Sequence, residues 1–213
     1  MIVTKELAEN VLCVVDVGLV KGLGKPVPGQ MCVEAAVNYA MGAPHGDTPS
    51  CVGRAVRSFK IRLNDSSKWP SDAARAEGMR RLAVAQLGSD ALNQIEFAEK
   101  LAFKTITVLL AKLFDERRKP RLADACRKAK DLKEARAAAV AAAAADAGYA
   151  ADAAAVAAAV AAAAADAYAG YAADAADAAD ALSYLLLSAK LAEEVLVEMK
   201  SPGAAFLWLC DEK

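Results

Sequence analysis

Histidine occurs once, at His45, and that scarcity narrows the chemistry first. Any mechanism that needs an imidazole has a single candidate, and a zinc site built on several histidines is excluded. Cysteine occurs five times, at Cys13, Cys32, Cys51, Cys126 and Cys210, an odd number with no CxxC pair. Neither a disulfide framework nor a zinc ribbon is written in that spacing. Proline is missing from Leu122 to Ser201, so nothing there forces a helix to stop. Threonine is missing after Thr107, which excludes the threonine ladder of alanine-rich ice-binding helices. Uncharged apolar runs of about 20 residues are missing too, which argues against a membrane span.

What is present in excess is alanine. Between Ala135 and Ala181, 32 of 47 residues are alanine, with six aspartates and three tyrosines among the rest. Alanine is the best intrinsic helix former because it loses no side-chain entropy. Gly148 and Gly170 each cost about 1 kcal/mol there without ending a helix. The stretch repeats itself: Ala137–Ala147 and Ala157–Ala167 both read AAAVAAAAADA, and GYAADAA recurs after 22 residues. Two elevens are close to six full turns, so Tyr149, Val156, Val160 and Tyr171 fall on one stripe. An alanine face buries only methyls and compensates by letting another helix approach closely. The expectation is an all-α protein, an alanine-rich bundle of long, closely packed helices, with a homodimer through this helix as one way to cover it.

The formal net charge is −1, but it is unevenly spread. Residues to Arg136 carry +7 and those after it −8. Either the two halves face each other, or the basic half faces an acidic partner. The beginning, MIVTKELAENVLCVVDVGLV, lacks a basic n-region, and Asp16 interrupts its apolar run; a reduced, cytoplasmic protein is expected.

Along the chain, Thr4 caps a helix running to about Lys21, and GLGKPVPG is a loop. Gln30–Met41 is a second helix with Cys32 in its first turn. Arg54–Leu63 fits period two or an amphipathic helix, and helix is preferred because a lone strand has no partner. Ser71 caps a helix to about Leu87, with Trp69 packing back on it. Asn93–Phe114 carries one apolar stripe at Ile95, Ile106, Leu109 and Leu113 and another at Phe97, Leu101 and Val108, which predicts burial between neighbours. After DERRKP, a basic helix runs into the alanine stretch. Leu182–Lys200 is helical, and the apolar tail AAFLWLCDEK is docked. The organisation expected is residues 1–118, 119–200 and a docked 201–213.

Candidate chemistry is sparse. Cys32 at a helix start is placed for a lowered thiol pKa. GQMCVEAAVNYAMG resembles the nucleophile helix of papain-like peptidases, where glutamine precedes the cysteine; His45 would then be base and Asp47 its orienter. The histidine follows by only 13 residues, and the sheet on which such enzymes carry it is not expected here. A core cysteine and a histidine that ties its own turn is the preferred reading. Cys32, His45, Asp47 and Cys51 are alternatively a donor set suited to zinc, on spacings that match no known finger. No cofactor is expected. Arg117, Arg118, Lys119, Arg121 and Lys128 head a basic run, but Asp124, Asp131 and Glu134 sit in it and no aromatic is available for base stacking.

Three segments carry a resemblance: MCVEAAVNYAMGAPHGDTPSCVGRAVRSFKIRLND, WPSDAARAEGMRRLAVAQLGS, and the alanine repeats ending in MKSPGAAFLWLCDE. Together they resemble a family of alanine-rich hypothetical proteins of bacteria and phages. Some members are labelled immunity proteins, small helical proteins that neutralise a toxin by binding it. The resemblance implies a non-enzymatic binding protein with a toxin or defence component as partner. A thiol-dependent hydrolase using Cys32 and His45, and a basic nucleic-acid binder, are the alternatives.

A close neighbour on the alanine face makes Ala158→Leu or Ala161→Leu destabilising by about 1–3 kcal/mol, although propensity alone predicts almost no change. Leucine scanning of Ala153–Ala165 with thermal melts should show costs that oscillate with a period of about 3.6 residues. A flat profile would contradict tight alanine packing.

Overall fold

Short polar residues set where the helices begin. In the computed structural model, which describes residues 2–145 and 181–212, Thr4 Oγ1 accepts the Leu7 amide at 3.2 Å and Ser71 Oγ accepts that of Ala74 at 3.1 Å. Asn93 Oδ1 takes the amides of Ile95 and Glu96. Each supplies an acceptor that a first helical turn lacks. The α-helices are α1 (Lys5–Val15), α2 (Val33–Ala40), α3 (Arg54–Asp65), α4 (Asp72–Ala85), α5 (Gln94–Lys104), α6 (Ala111–Glu116), α7 (Pro120–Lys128), α8 (Leu132–Ala145) and α9 (Ala181–Glu198). A 3₁₀ segment, Pro202–Cys210, follows α9. Among the described residues there is no strand, only an isolated bridge between Gly24 and Met31. The all-α architecture is as expected, with Arg54–Asp65 a helix.

Several boundaries differ from expectation. Helix α1 ends at Val15 rather than Lys21, because Asp16 is drawn to Arg80 and Gly18 adopts φ +134°. Helix α2 begins at Val33 rather than Gln30, because Gln30 turns back onto the preceding loop and its carbonyl accepts the Lys25 amide at 2.6 Å. The expected single helix from Asn93 to Phe114 contains a π segment, Thr105–Leu110, between α5 and α6. A π turn holds an extra residue, which rotates the downstream half by roughly one residue's worth of helical angle. The continuous stripe therefore fails at its ends. Phe97, Leu101, Ile106, Leu109 and Leu113 are buried, while Ile95 is 68 % and Val108 43 % exposed.

The basic helix does not run into the alanine stretch. Helix α7 ends at Lys128, Ala129 is extended with ψ 130°, and α8 starts anew. Asp131 Oδ1 accepts the Glu134 amide at 2.8 Å, the N-cap bond of a DxxE start, and the Glu134 carboxylate accepts the Lys130 amide, one residue before the cap, at 2.9 Å. Ala135 and Ala139, four apart, are fully buried where α8 packs on α5 and α7. Residues 146–180, with the repeats, the alanine face at Ala153–Ala165 and the dimer expected through it, lie outside the described residues.

Helix α4 packs against α1, α2, α9 and the 3₁₀ segment. Two arginines on it act as internal clamps. Arg75 donates to the carbonyls of Asn64 (2.8 Å) and Leu19 (3.0 Å), closing the end of α3 and the loop after α1. Arg80 forks onto Asp16 and donates to the Cys210 carbonyl at 2.7 Å, tying α1 and the tail to α4. In the tail, Leu207, Leu209 and Cys210 are buried, Trp208 is half-exposed, and Gly203 donates to the Leu87 carbonyl at 2.8 Å. Acidic residues of α9 and the tail pair with cations of α4 and α5. Arg81 pairs with Glu193 and Asp211, and Lys104 with Glu194 and Glu198. No helix among the described residues is long and apolar enough to cross a membrane.

Trp69 is buried, donates from Nε1 to the Leu63 carbonyl at 2.8 Å, and lies on Gly78 in the middle of α4. A Cβ at Gly78 would come within 2.5 Å of the indole ring. Helix propensity favours Gly78→Ala by about 1 kcal/mol, whereas overpacking costs about 1–3 kcal/mol. The indole is held at both ends, so we expect net destabilisation in a chemical-denaturation curve; a stabilised variant would show that Trp69 moves aside freely.

Candidate functional site

The cysteine foremost in the sequence is a helix cap. Cys32 has extended backbone, φ −70° and ψ 167°, and its Sγ accepts the Ala35 amide at 3.4 Å. It is 4 % exposed, and burial pushes its thiol up rather than down. The expected activation by the helix terminus is thus overridden by desolvation. His45, the base in the hydrolase reading, is exposed, with Nε2 3.2 Å from the Gly24 carbonyl oxygen. No hydrogen bond joins it to Cys32. The imidazole ties the 42–53 turn to the Gly22–Gly29 loop instead of tying its own turn; that turn is held by Asn38, whose Nδ2 donates to the Gly46 carbonyl at 2.8 Å. Asp47 is half-buried. Cys51 is buried and points its thiol at Met41 Sδ, 3.5 Å away. Among the described residues, no three histidine, cysteine, aspartate or glutamate side chains come together to hold a metal ion, so the zinc set Cys32, His45, Asp47 and Cys51 is not assembled.

Behind these residues lies a feature that sequence reasoning missed. Glu34 in the first turn of α2 and Lys60 in the middle of α3 are both wholly buried, with Nζ and Oε1 3.5 Å apart. That distance is long for a hydrogen bond, and neither Glu34 oxygen nor Lys60 Nζ has a hydrogen-bond partner. Burial is the first cause at both groups: it raises the Glu34 pKa and lowers that of Lys60, each against the opposing charge of its partner. The signal was present in the sequence. Val56, Phe59, Lys60 and Leu63 follow i, i+3, i+4, i+7, which puts Lys60 on the inward face of α3.

The expected basic surface forms an elbow between α6 and α7. The Lys119 amide bonds the Phe114 carbonyl and the Arg118 amide bonds that of Asp115, the paired closure of a Schellman motif. The residue in the left-handed position, φ 57°, is Arg118 rather than glycine. A cation there faces the negative end of α6, which offsets part of its backbone cost. Arg117, Arg118, Arg121 and Lys128 are exposed and Lys119 is half-buried. Within the run, Arg127 pairs with Asp115 and Asp124, and Lys128 with Asp124 at 3.7 Å. Ion pairing of the run with the downstream aspartates lies outside the described residues. Elsewhere, an open groove of about 470 Å³ runs between α4 and α9 over Gly78, Leu82, Leu186 and Ala189.

Comparison of the chain with protein-family models, curated proteins and solved structures finds no match to any of them.

These geometries rank the five thiols. Cys13 is exposed and the other four are buried, with Cys126 pushed up to about 11. A thiol reagent at neutral pH should label Cys13 quickly and Cys32 more slowly than a free peptide thiol. Fast labelling of Cys32, read by peptide mass mapping, would restore the hydrolase reading.

Proposed function

We propose that this protein works by binding an acidic surface of a partner protein through the α6–α7 elbow, in an immunity-like or phage-related role and a cytoplasmic setting. The observation that carries the reading is a contrast between two groups of cations. Arg81 and Lys104 are engaged by the acidic residues of α9 and the tail. Among the described residues, Arg118, Arg121, Lys130 and Lys133 are exposed and take no ion pair. Exposed like charges such as Arg118 and Arg121 on this bend steer an oppositely charged partner and contribute to its association rate. Protein is favoured over nucleic acid because Asp115 and Asp124 interrupt the cluster and no aromatic offers a stacking platform. The thiol-hydrolase alternative loses support with Cys32 capped and His45 engaged elsewhere.

The test uses immobilised poly-glutamate and immobilised duplex DNA as probes. Wild-type protein should be retained on poly-glutamate and released by salt, and Arg118→Glu/Arg121→Glu should elute earlier with an unchanged melting temperature. Equal retention of the variant would contradict the elbow. Stronger, steeply salt-dependent retention on DNA would transfer the reading to nucleic acid.

A further inference from the structure

Among the described residues eight have a positive φ, and six of them are glycines. The other two are cations, Arg118 and Lys200, both at φ 57°. Each closes the end of a helix. Arg118 follows α6, and Lys200 follows α9, where the Ser201 amide returns to the Leu196 carbonyl at 2.9 Å. Glycine is favoured at such a position, because a Cβ there crowds the following carbonyl. At the elbow the turn itself is forced. Pro120 disfavours helical backbone at Lys119, which stands at φ −114° and ψ 60°. Some residue between α6 and α7 must reverse the chain, and arginine stands where glycine would be less strained.

We propose that Arg118 is the residue on which recognition at the elbow depends: its guanidinium anchors a carboxylate of the partner, from a backbone position that costs the fold stability. This rests on the reading of the elbow as a surface for an acidic protein.

Inside the described chain the Arg118 side chain has no use. It is exposed, and its guanidinium takes no ion pair and no hydrogen bond among the described residues. Its neighbours differ, since Arg127 is held by Asp115 and Asp124, and Lys128 by Asp124. The negative end of α6 does favour a cation, but Arg117, the C-cap, already supplies one without left-handed backbone. Strain kept at a residue that its own fold does not employ points to recognition. The chemistry fits a carboxylate, because a guanidinium offers its donors as a planar fork. The turn bonds, Arg118 amide to the Asp115 carbonyl at 2.9 Å and Lys119 amide to that of Phe114 at 2.8 Å, fix the backbone from which the fork extends. Less is then left to order on binding. Lys200 is the internal comparison: the same φ, equally exposed, but at the end of α9.

The test measures retention on immobilised poly-glutamate, and thermal melting, for Arg118→Gly, Arg118→Ala, Lys133→Ala and Lys200→Gly. Both Arg118 variants should elute at lower salt than Lys133→Ala, which removes one charge from the same run, and Lys200→Gly should elute with wild type. Arg118→Gly should melt no lower than wild type and about 2–4 °C above Arg118→Ala, the effect of a Cβ in the left-handed region. A loss of retention no larger than that of Lys133→Ala, or an equal loss in Lys200→Gly, would make Arg118 one charge among several and overturn the proposal. The elbow would still stand if Arg118→Glu/Arg121→Glu eluted early. Melting of Arg118→Gly below wild type, or level with Arg118→Ala, would show that the arginine serves the fold or that the position is unstrained, and either result overturns the proposal. Wild type that is not retained at all removes the elbow reading and the anchor with it.

Discussion

A lysine in the core is the constraint around which the first third of the chain is arranged. Lys60 has no exposed surface, and neither has Glu34 opposite it. Taking both charges out of water costs several kcal/mol each, and their attraction repays this only when the geometry is close and the remaining protons and lone pairs are satisfied. Here the contact is 3.5 Å and hydrogen bonds are lacking. Arg75 and Arg80 solve the same problem differently. Arg75 reaches the carbonyls of Asn64 and Leu19 and the Asp72 carboxylate, and Arg80 the Cys210 carbonyl and the Asp16 carboxylate, so their donors are distributed over several elements. The lysine has one carboxylate, which ties α2 to α3 and makes the placement of α2 sensitive to both residues.

That arrangement explains why the residues with reactive side chains are poor candidates for catalysis. Cys32, Cys51 and Glu34 are inside the wall that closes around Lys60, and Cys32 serves α2 as its cap. Catalytic use would require a substrate to reach Cys32 and Glu34 through a recess of about 20 Å³, and Cys51 has no exposed surface. The exposed chemistry is cationic and lies at the other end of the helical order, on the α6–α7 elbow. Arg118 occupies a left-handed position there, which glycine fills with less strain.

Local signals were legible in the sequence where one residue decides the outcome. Thr4 and Ser71 cap the helices they were read to cap, and Trp69 packs back on α4 as its position before Ser71 implied. The docked tail was legible because four bulky residues in succession cannot all face water. What was not legible depends on long-range partners or on backbone phase. Cys32 becomes a cap because Gln30 pairs backwards across the loop. Ile95 and Val108 turn outward because a π segment, with no sequence signature of its own, rotates half of a helix. The break before α8 has a local signal in DxxE, one that went unread beside the alanine that follows. Glu34 and Lys60 were visible as charges in apolar settings, yet only the packing of α2 on α3 puts them together.

A double-mutant cycle on Glu34 and Lys60 tests this account most directly. Denaturant unfolding of Glu34→Leu, Lys60→Met and the combined variant measures what each charge costs when its partner is missing. If the pair is the internal constraint described, each single variant loses about 3–5 kcal/mol, because it strands a buried charge. The combined variant then recovers most of that loss, which gives a coupling well above the few tenths expected of independent sites. Single variants that cost little, or whose costs simply add, would mean that water reaches the pair and that α2 is held on α3 by its apolar contacts alone.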